Sequence, residues 1–179
     1  MKSNIEGFIK QLEDAFIIGG NAVFKASNKK IANVLICGLG GSGIGGTIVA
    51  KFAQLESKVP ILVCNDYHIP EFVNESTLVI ASSYSGNTEE TLTAIKAAQI
   101  KGAEIAAVTS GGELREICHE KGYNHILIPG GKPPRTCIGL SLTQQVYILV
   151  KYGIISEVAL ANLTSAIELL KAEDLSIKE

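Results

Sequence analysis

One short turn holds the residues best suited to chemistry in this sequence. Residues 83–88 read Ser-Tyr-Ser-Gly-Asn-Thr, follow the apolar run 77–81 and precede a helical pattern. A helix N-terminus presents unpaired N–H groups and the positive end of the helix dipole. The hydroxyls of Ser83, Ser85 and Thr88 add donors at the same place, so the turn could hold a phosphate ester without a metal or a lysine. We predict a phosphate-binding turn.

Ordinary helix capping is the alternative interpretation of this turn. Ser, Thr and Asn are the residues most often found at helix N-caps. A single cap needs a single hydroxyl, whereas three occur here within six residues. This crowding favours phosphate binding over capping alone.

A second glycine-rich loop follows the apolar run 33–37. Residues 38–43 fit G-x-G-x-x-G, the pattern of dinucleotide-binding loops, and Asp66 stands about where a ribose-binding acid would lie. Gly45 and Gly46 extend the glycine run further than a pyrophosphate requires. The hydroxyl-rich turn also adds an anion site that a dinucleotide module does not need. A nucleotide-cofactor oxidoreductase module is therefore the weaker hypothesis, and a P-loop is excluded because no Gly-Lys-Ser/Thr is present.

The elements that must position these loops alternate along the chain. Short apolar runs predict strands at 33–37, 60–64, 77–81, 104–108 and 125–128. Helical spacing predicts helices from Ile5 to Phe16, a second short one to about Ala26, and others over 40–55, 87–101, 113–121, 138–152 and 157–171. Strands buried on both faces and separated by helices indicate an α/β fold. We predict a doubly wound three-layer sandwich with a five-stranded parallel sheet.

The strand order decides where a ligand would bind. A five-stranded doubly wound sheet commonly runs 2-1-3-4-5, which makes the first and third strands neighbours whose helices leave to opposite faces. The glycine loop and the hydroxyl turn follow these two strands. Both loops are therefore predicted to border one ligand-binding crevice.

Composition excludes several classes of protein. The chain has 179 residues and a formal charge of −2, so it lacks the basic field that draws proteins to nucleic acid. No signal-peptide core or membrane-length apolar run is visible, and a cytoplasmic protein is expected. The four cysteines show no Cys-x-x-Cys spacing. We expect no metal site, disulfide framework or cofactor.

Four separately placed motifs resemble the sugar isomerase (SIS) domain, whose hallmark is a Ser-x-Ser-Gly-x-Thr turn. They lie at 40–46, 66–70, 83–91 and 133–135. Together these motifs resemble the amino-terminal half of bifunctional phosphoglucose/phosphomannose isomerases in particular. The resemblance predicts an SIS domain over 31–155. Residues 1–30 are then a helical segment packed on the domain, and 156–179 form a C-terminal helix that could link to an absent second domain.

The resemblance also implies roles for individual residues. Ser83, Ser85 and Thr88 would hold the phosphate of glucose 6-phosphate, mannose 6-phosphate or fructose 6-phosphate, while Gly41 and Ser42 would contact the sugar. Arg135 would be catalytic. It would steady the enediolate that forms as a proton moves between C1 and C2. Arg135 follows the last predicted strand, so its loop must reach back across the sheet. A surface residue after a proline turn is its alternative interpretation.

The same resemblance implies that part of the machinery is absent. The family carries a second SIS domain with a catalytic glutamate, histidine and lysine, which have no counterpart here. Glu89, Glu90 and His68 are poor substitutes, so we expect the phosphosugar-binding half of a longer isomerase. A non-catalytic SIS module that senses a phosphosugar is the alternative. The apolar pattern over 138–152 exceeds what one sheet face can cover and predicts a homodimer through this helix or its neighbour.

Overall fold

A single parallel sheet organises the protein. The structure, a computed structural model, describes residues 7–178, with side chains to residue 173. The strands are β1 (Asn33–Cys37), β2 (Ile61–Cys64), β3 (Thr77–Ser83), β4 (Glu104–Thr109) and β5 (Asn124–Leu127). The helices are α1 (Phe8–Gly20), α2 (Gly40–Ala53), α3 (Glu89–Ile100), α4 (Gly112–Lys121), α5 (Ile138–Lys151) and α6 (Val158–Lys178), with a 3₁₀ helix over Pro134–Thr136.

Alternating side chains build a core on each face of the sheet. The five strands run parallel in the order β2-β1-β3-β4-β5, which confirms the predicted topology. In β1, Val34 and Ile36 pack with α1, α2 and α5, while Leu35 and Cys37 pack with α3 and α4. Every residue of the central strand β3 is buried. The fold is therefore the predicted three-layer α/β sandwich. The helices that follow β1 and β3 leave to opposite faces of the sheet, so these two strands border the predicted crevice.

Helix α5 is an interior helix rather than an exposed apolar one. Gln144, Gln145, Ile148 and Leu149 have no exposed surface. Helices α1 and α2 and strands β3 and β4 all pack against it. The surplus apolar surface predicted for this helix is thus covered by α1 and is not left for a second copy. No helix within the described residues is long and apolar enough to cross a membrane.

The N-terminal segment differs from the prediction beyond Gly20. Ile5 lies outside the described residues, and the second short helix to Ala26 is wrong because residues 22–30 are not helical. The side chain of Asn124 accepts the Lys25 N–H at 2.8 Å and donates to the Lys25 carbonyl at 2.9 Å. These bonds occupy the backbone groups that a helix would need.

Candidate functional site

The hydroxyl-rich turn begins inside the central strand. Strand β3 runs to Ser83, two residues beyond the predicted end, and Thr88 is the N-cap of α3. Ser83 is 1% exposed, and its Oγ accepts the Gly86 N–H at 3.1 Å. The same Oγ lies 2.8 Å from Oγ1 of Thr88. Ser83 therefore lies beneath the turn and fixes the position of the Thr88 hydroxyl.

The hydroxyls of this turn are not spent on capping α3. Thr88 makes no side-chain capping bond to its helix. Asn87 instead accepts the Glu113 N–H at 2.8 Å, at the start of α4. Ser85 is exposed, and its Oγ accepts the Asn87 N–H at 3.2 Å, which leaves the hydroxyl hydrogen free to point outward. Capping of α3 therefore does not account for these hydroxyls.

Gly86 makes this turn compact. Its φ of +72° lies in the left-handed region, and a Cβ there would overlap the carbonyl oxygen of Gly111. The Gly86 carbonyl accepts the Leu114 N–H at 2.9 Å. The loop between β4 and α4 thus supports the turn from behind.

The glycine loop after β1 lies directly beside the end of β3. A Cβ on Gly38 would stand 2.8 Å from the carbonyl oxygen of Ser82. Helix α2 then begins at Gly40, whose φ is +56°. Gly41 and Ser42 form its first turn, and Ser42 is 9% exposed. The N-termini of α2 and α3 therefore open at one edge of the sheet, from adjacent strands.

The Arg135 loop does reach back to this edge. A Cβ on Gly41 would stand 3.4 Å from the carbonyl oxygen of Pro134 and 3.6 Å from Cα of Arg135. The Arg135 side chain is exposed and forms no hydrogen bond or ion pair with the part of the chain that the structure describes. The backbone of Arg135 thus lies beside the first turn of α2, and its guanidinium has no partner among the described residues.

Two residues that fasten this loop had not been predicted. The Tyr84 hydroxyl donates to the Pro129 carbonyl at 3.1 Å and accepts the Lys132 N–H at 3.1 Å. Gln11 of α1 donates from Nε2 to the Thr136 carbonyl at 2.7 Å. Burial raises the pKa of Tyr84, so its hydroxyl stays protonated. The sequence offered one sign of the role of Tyr84, namely its position as an aromatic hydroxyl between Ser83 and Ser85.

The loop after β2 borders the site through Tyr67. Its hydroxyl donates to Oε2 of Glu89 at 3.4 Å. The Asp66 carboxylate accepts the Tyr67 N–H at 2.6 Å within its own turn, and this bond lowers the pKa of Asp66. His68 is almost fully exposed. Asp66 is thus occupied by its own backbone, which lends no support to a ribose-binding role.

Two thiols lie directly below this edge. Cys37 and Cys64 are in-register partners at the ends of β1 and β2, and both are buried. A hydrogen bond with Cys37 lowers the pKa of Cys64 to about 6 and raises that of Cys37.

The site lies open at the sheet edge and suits a ligand that carries an anionic group on a small polar molecule. The N-termini of α2 and α3 meet the hydroxyls of the turn there, and Arg135 lies beside the first turn of α2. Each of these groups favours negative charge. A groove of about 580 Å³ between α2 and the start of β2 contains none of these residues.

Several curated proteins are similar to this chain in sequence. A bifunctional phosphoglucose/phosphomannose isomerase of Caldicellulosiruptor bescii is 42% identical over 158 residues, which cover 88% of this chain and 47% of the relative. A protein of the same name from Thermoplasma acidophilum is 53% identical over 108 residues, or 60% of this chain and 33% of the relative. The chain spans about half the length of the curated relatives it matches, or less.

Solved structures share the fold. A candidate phosphosugar isomerase of Clostridium difficile superposes with a TM-score of 0.72 at 22% identity, over 93% of this chain and 51% of that one. At that identity the likeness concerns the fold alone. No protein-family model matches the chain.

Proposed function

We propose that the chain is an SIS domain related to the bifunctional phosphoglucose/phosphomannose isomerases and that it is the phosphosugar-binding half of such an isomerase. The enzyme would interconvert glucose 6-phosphate or mannose 6-phosphate with fructose 6-phosphate. One observation carries the proposal. The β1 loop, the β3 turn and the Arg135 loop meet at one edge of the sheet, with Gly41 against Arg135.

The β3 turn would take the phosphate. Ser85 and Thr88 donate to its oxygens, and the N-terminus of α3 adds backbone N–H groups and the positive dipole end. Ser83 supports the Thr88 hydroxyl from below. Gly41 and Ser42, in the first turn of α2, would contact the sugar.

Arg135 would act at the reacting carbons. Moving a proton between C1 and C2 creates an enediolate, and a positioned cation lowers the energy of that negative charge. The base that moves the proton would come from a second SIS domain, a hypothesis supported by relatives about twice the length of this chain. The isolated chain would therefore bind substrate and turn it over slowly or not at all.

Fructose 6-phosphate is expected to raise the melting temperature of the protein, whereas NAD is not. A ligand that binds only the folded state stabilises it by RT ln(1 + [L]/Kd), about 2.7 kcal/mol at one hundred times Kd. Thermal scans with each compound provide the measurement. Stabilisation by NAD alone would favour the oxidoreductase hypothesis. Rapid isomerase turnover by this chain would show that a base of its own does the chemistry.

A phosphosugar-sensing module remains the second candidate for the same site. The hydroxyls that do not cap α3 and the unpaired Arg135 side chain would suit a protein that binds a phosphosugar without converting it equally well. Adding the remaining half of a related isomerase separates the two. Restored turnover supports the enzyme, and binding without turnover supports the sensor.

We further propose a cytoplasmic homodimer. All four cysteines are free and buried, in keeping with a reducing compartment. Ile44 and Ile48 lie one turn apart on α2, are 58% and 46% exposed, and form an apolar stripe that a second copy could cover.

Light scattering is expected to give twice the 19.0 kDa mass of the chain. Ile48→Lys should yield monomers because it places a charge in the apolar stripe. The control Ile100→Lys, at an exposed position of α3, should leave the mass unchanged. A wild-type monomer at high concentration would contradict the dimer.

A further inference from the structure

Tyr84 links the hydroxyl-rich turn to the loop that carries Arg135. It lies between Ser83 and Ser85 in the chain, and its side chain is 8% exposed. Its hydroxyl makes two hydrogen bonds to the loop after β5, to the Pro129 carbonyl and the Lys132 N–H, each at 3.1 Å. One side chain of the phosphate turn thus holds the loop that carries Arg135.

The backbone of Tyr84 is itself held firmly. The Ser110 hydroxyl donates to the Tyr84 carbonyl at 2.6 Å, and the Ser110 N–H donates to the same oxygen at 3.0 Å. Gly86, two residues on, packs against Gly111 of the same supporting loop. The Tyr84 hydroxyl therefore has a defined position relative to the phosphate turn.

The loop after β5 depends on such anchors. Residues 131–135 are all exposed, and Gly131 has a φ of +86°. The far end of the loop is held by Gln11 at the Thr136 carbonyl and by the packing of Pro134 on Gly41. Its near end is held by Tyr84. Removing that hydrogen-bond pair frees the segment that precedes Arg135.

We propose that Tyr84 is a positioning residue that sets the distance between the phosphate turn and the guanidinium of Arg135. This inference rests on the proposed function, since it assumes that one ligand spans both places. Tyr84 acts through Arg135 and does not touch the sugar. Its loss should weaken a ligand that reaches both the turn and Arg135, and spare one that occupies the turn alone.

Tyr84→Phe and Tyr147→Phe make a matched pair of variants. Tyr147 is 7% exposed, and its hydroxyl also donates to a backbone carbonyl, that of Phe16, at 3.2 Å. Calorimetry measures the binding of fructose 6-phosphate and of inorganic phosphate to each protein. We expect Tyr84→Phe to bind fructose 6-phosphate about tenfold more weakly, the equivalent of about one hydrogen bond, with phosphate affinity unchanged. Tyr147→Phe should match the wild type for both ligands.

A double-mutant cycle with Arg135→Ala tests whether Tyr84 acts through that residue. The double variant is expected to bind fructose 6-phosphate no more weakly than Arg135→Ala, because the positioned group is already gone. Additive losses would overturn the proposal. Equal losses for fructose 6-phosphate and phosphate would overturn it too, since they would mean that the turn itself is disturbed.

Amide hydrogen exchange separates this proposal from the proposed function. Exchange in residues 130–136 of the unliganded protein should be faster in Tyr84→Phe than in Tyr147→Phe. Unchanged exchange would overturn the anchoring role. Wild-type protein that binds phosphate but not fructose 6-phosphate would overturn the proposed function, and the exchange result would still decide whether Tyr84 holds the loop.

Discussion

Gly86→Ala is expected to lower the melting temperature by roughly 5–20 °C, the largest stability effect we predict for a single substitution in the site. A Cβ at this position would overlap the carbonyl oxygen of Gly111, and φ is +72°. A left-handed non-glycine residue and an overpacked contact together cost roughly 2–6 kcal/mol. The supporting loop would have to move, and the hydroxyl turn would move with it. Thermal unfolding monitored by circular dichroism provides the measurement.

Gly153→Ala is the matched control. Gly153 has a similar φ of +67°, but nothing lies within 4 Å of its Cβ position. The Gly153→Ala substitution should lower the free energy of unfolding only by the cost of a left-handed backbone at alanine, about 1–2 kcal/mol. Equal losses in the two variants would mean that the contact with Gly111 yields easily and that the turn is not tightly supported.

Ser85→Ala is expected to reduce strongly the stabilisation by fructose 6-phosphate while leaving the unliganded melting temperature nearly unchanged. Ser85 is exposed, so the fold loses little beyond one local bond to the Asn87 N–H. A hydrogen bond to a charged group contributes about 1.5–3 kcal/mol, which corresponds to a loss in affinity of roughly tenfold to more than a hundredfold. Thermal scans over a range of fructose 6-phosphate concentrations measure the loss.

Ser27→Ala controls for the loss of the local bond. Ser27 Oγ accepts the Lys29 N–H at 3.2 Å, the same two-residue spacing and length as the Ser85 bond. This variant should keep the full response to fructose 6-phosphate. A full response in Ser85→Ala as well would place the phosphate elsewhere and contradict the proposed site.

The strands were predictable because burial on both faces leaves a continuous apolar run. The observed β1, Asn33–Cys37, has the predicted bounds, and β2 differs by one residue. Strand β3 was predicted two residues too short because Ser82 and Ser83 are polar. Both are buried all the same. The Ser82 hydroxyl accepts a hydrogen bond from Nε2 of Gln145 at 3.0 Å. This partner lies 63 positions away, and local patterns do not reveal it.

Asn87 shows the same limit within the site. Its type suggested a cap for the helix that follows it in the sequence. The structure instead pairs its Oδ1 with the Glu113 N–H at the start of α4, 26 positions away. Residue type indicated that Asn87 would satisfy a helix N-terminus, and the packing of neighbouring β–α units decided which one.

Local burial and turn chemistry were enough to predict the five strands, the main helices, their order in the chain and the place of the glycine and hydroxyl loops at strand ends. Three features could be seen only in the folded protein: the covering of α5, the non-helical course of residues 22–30, and the hydrogen bonds that tie the Arg135 loop to Tyr84 and Gln11. Each depends on a contact between residues that are distant in the chain. Such contacts are selected by the packing of the whole fold, and no local spacing encodes them.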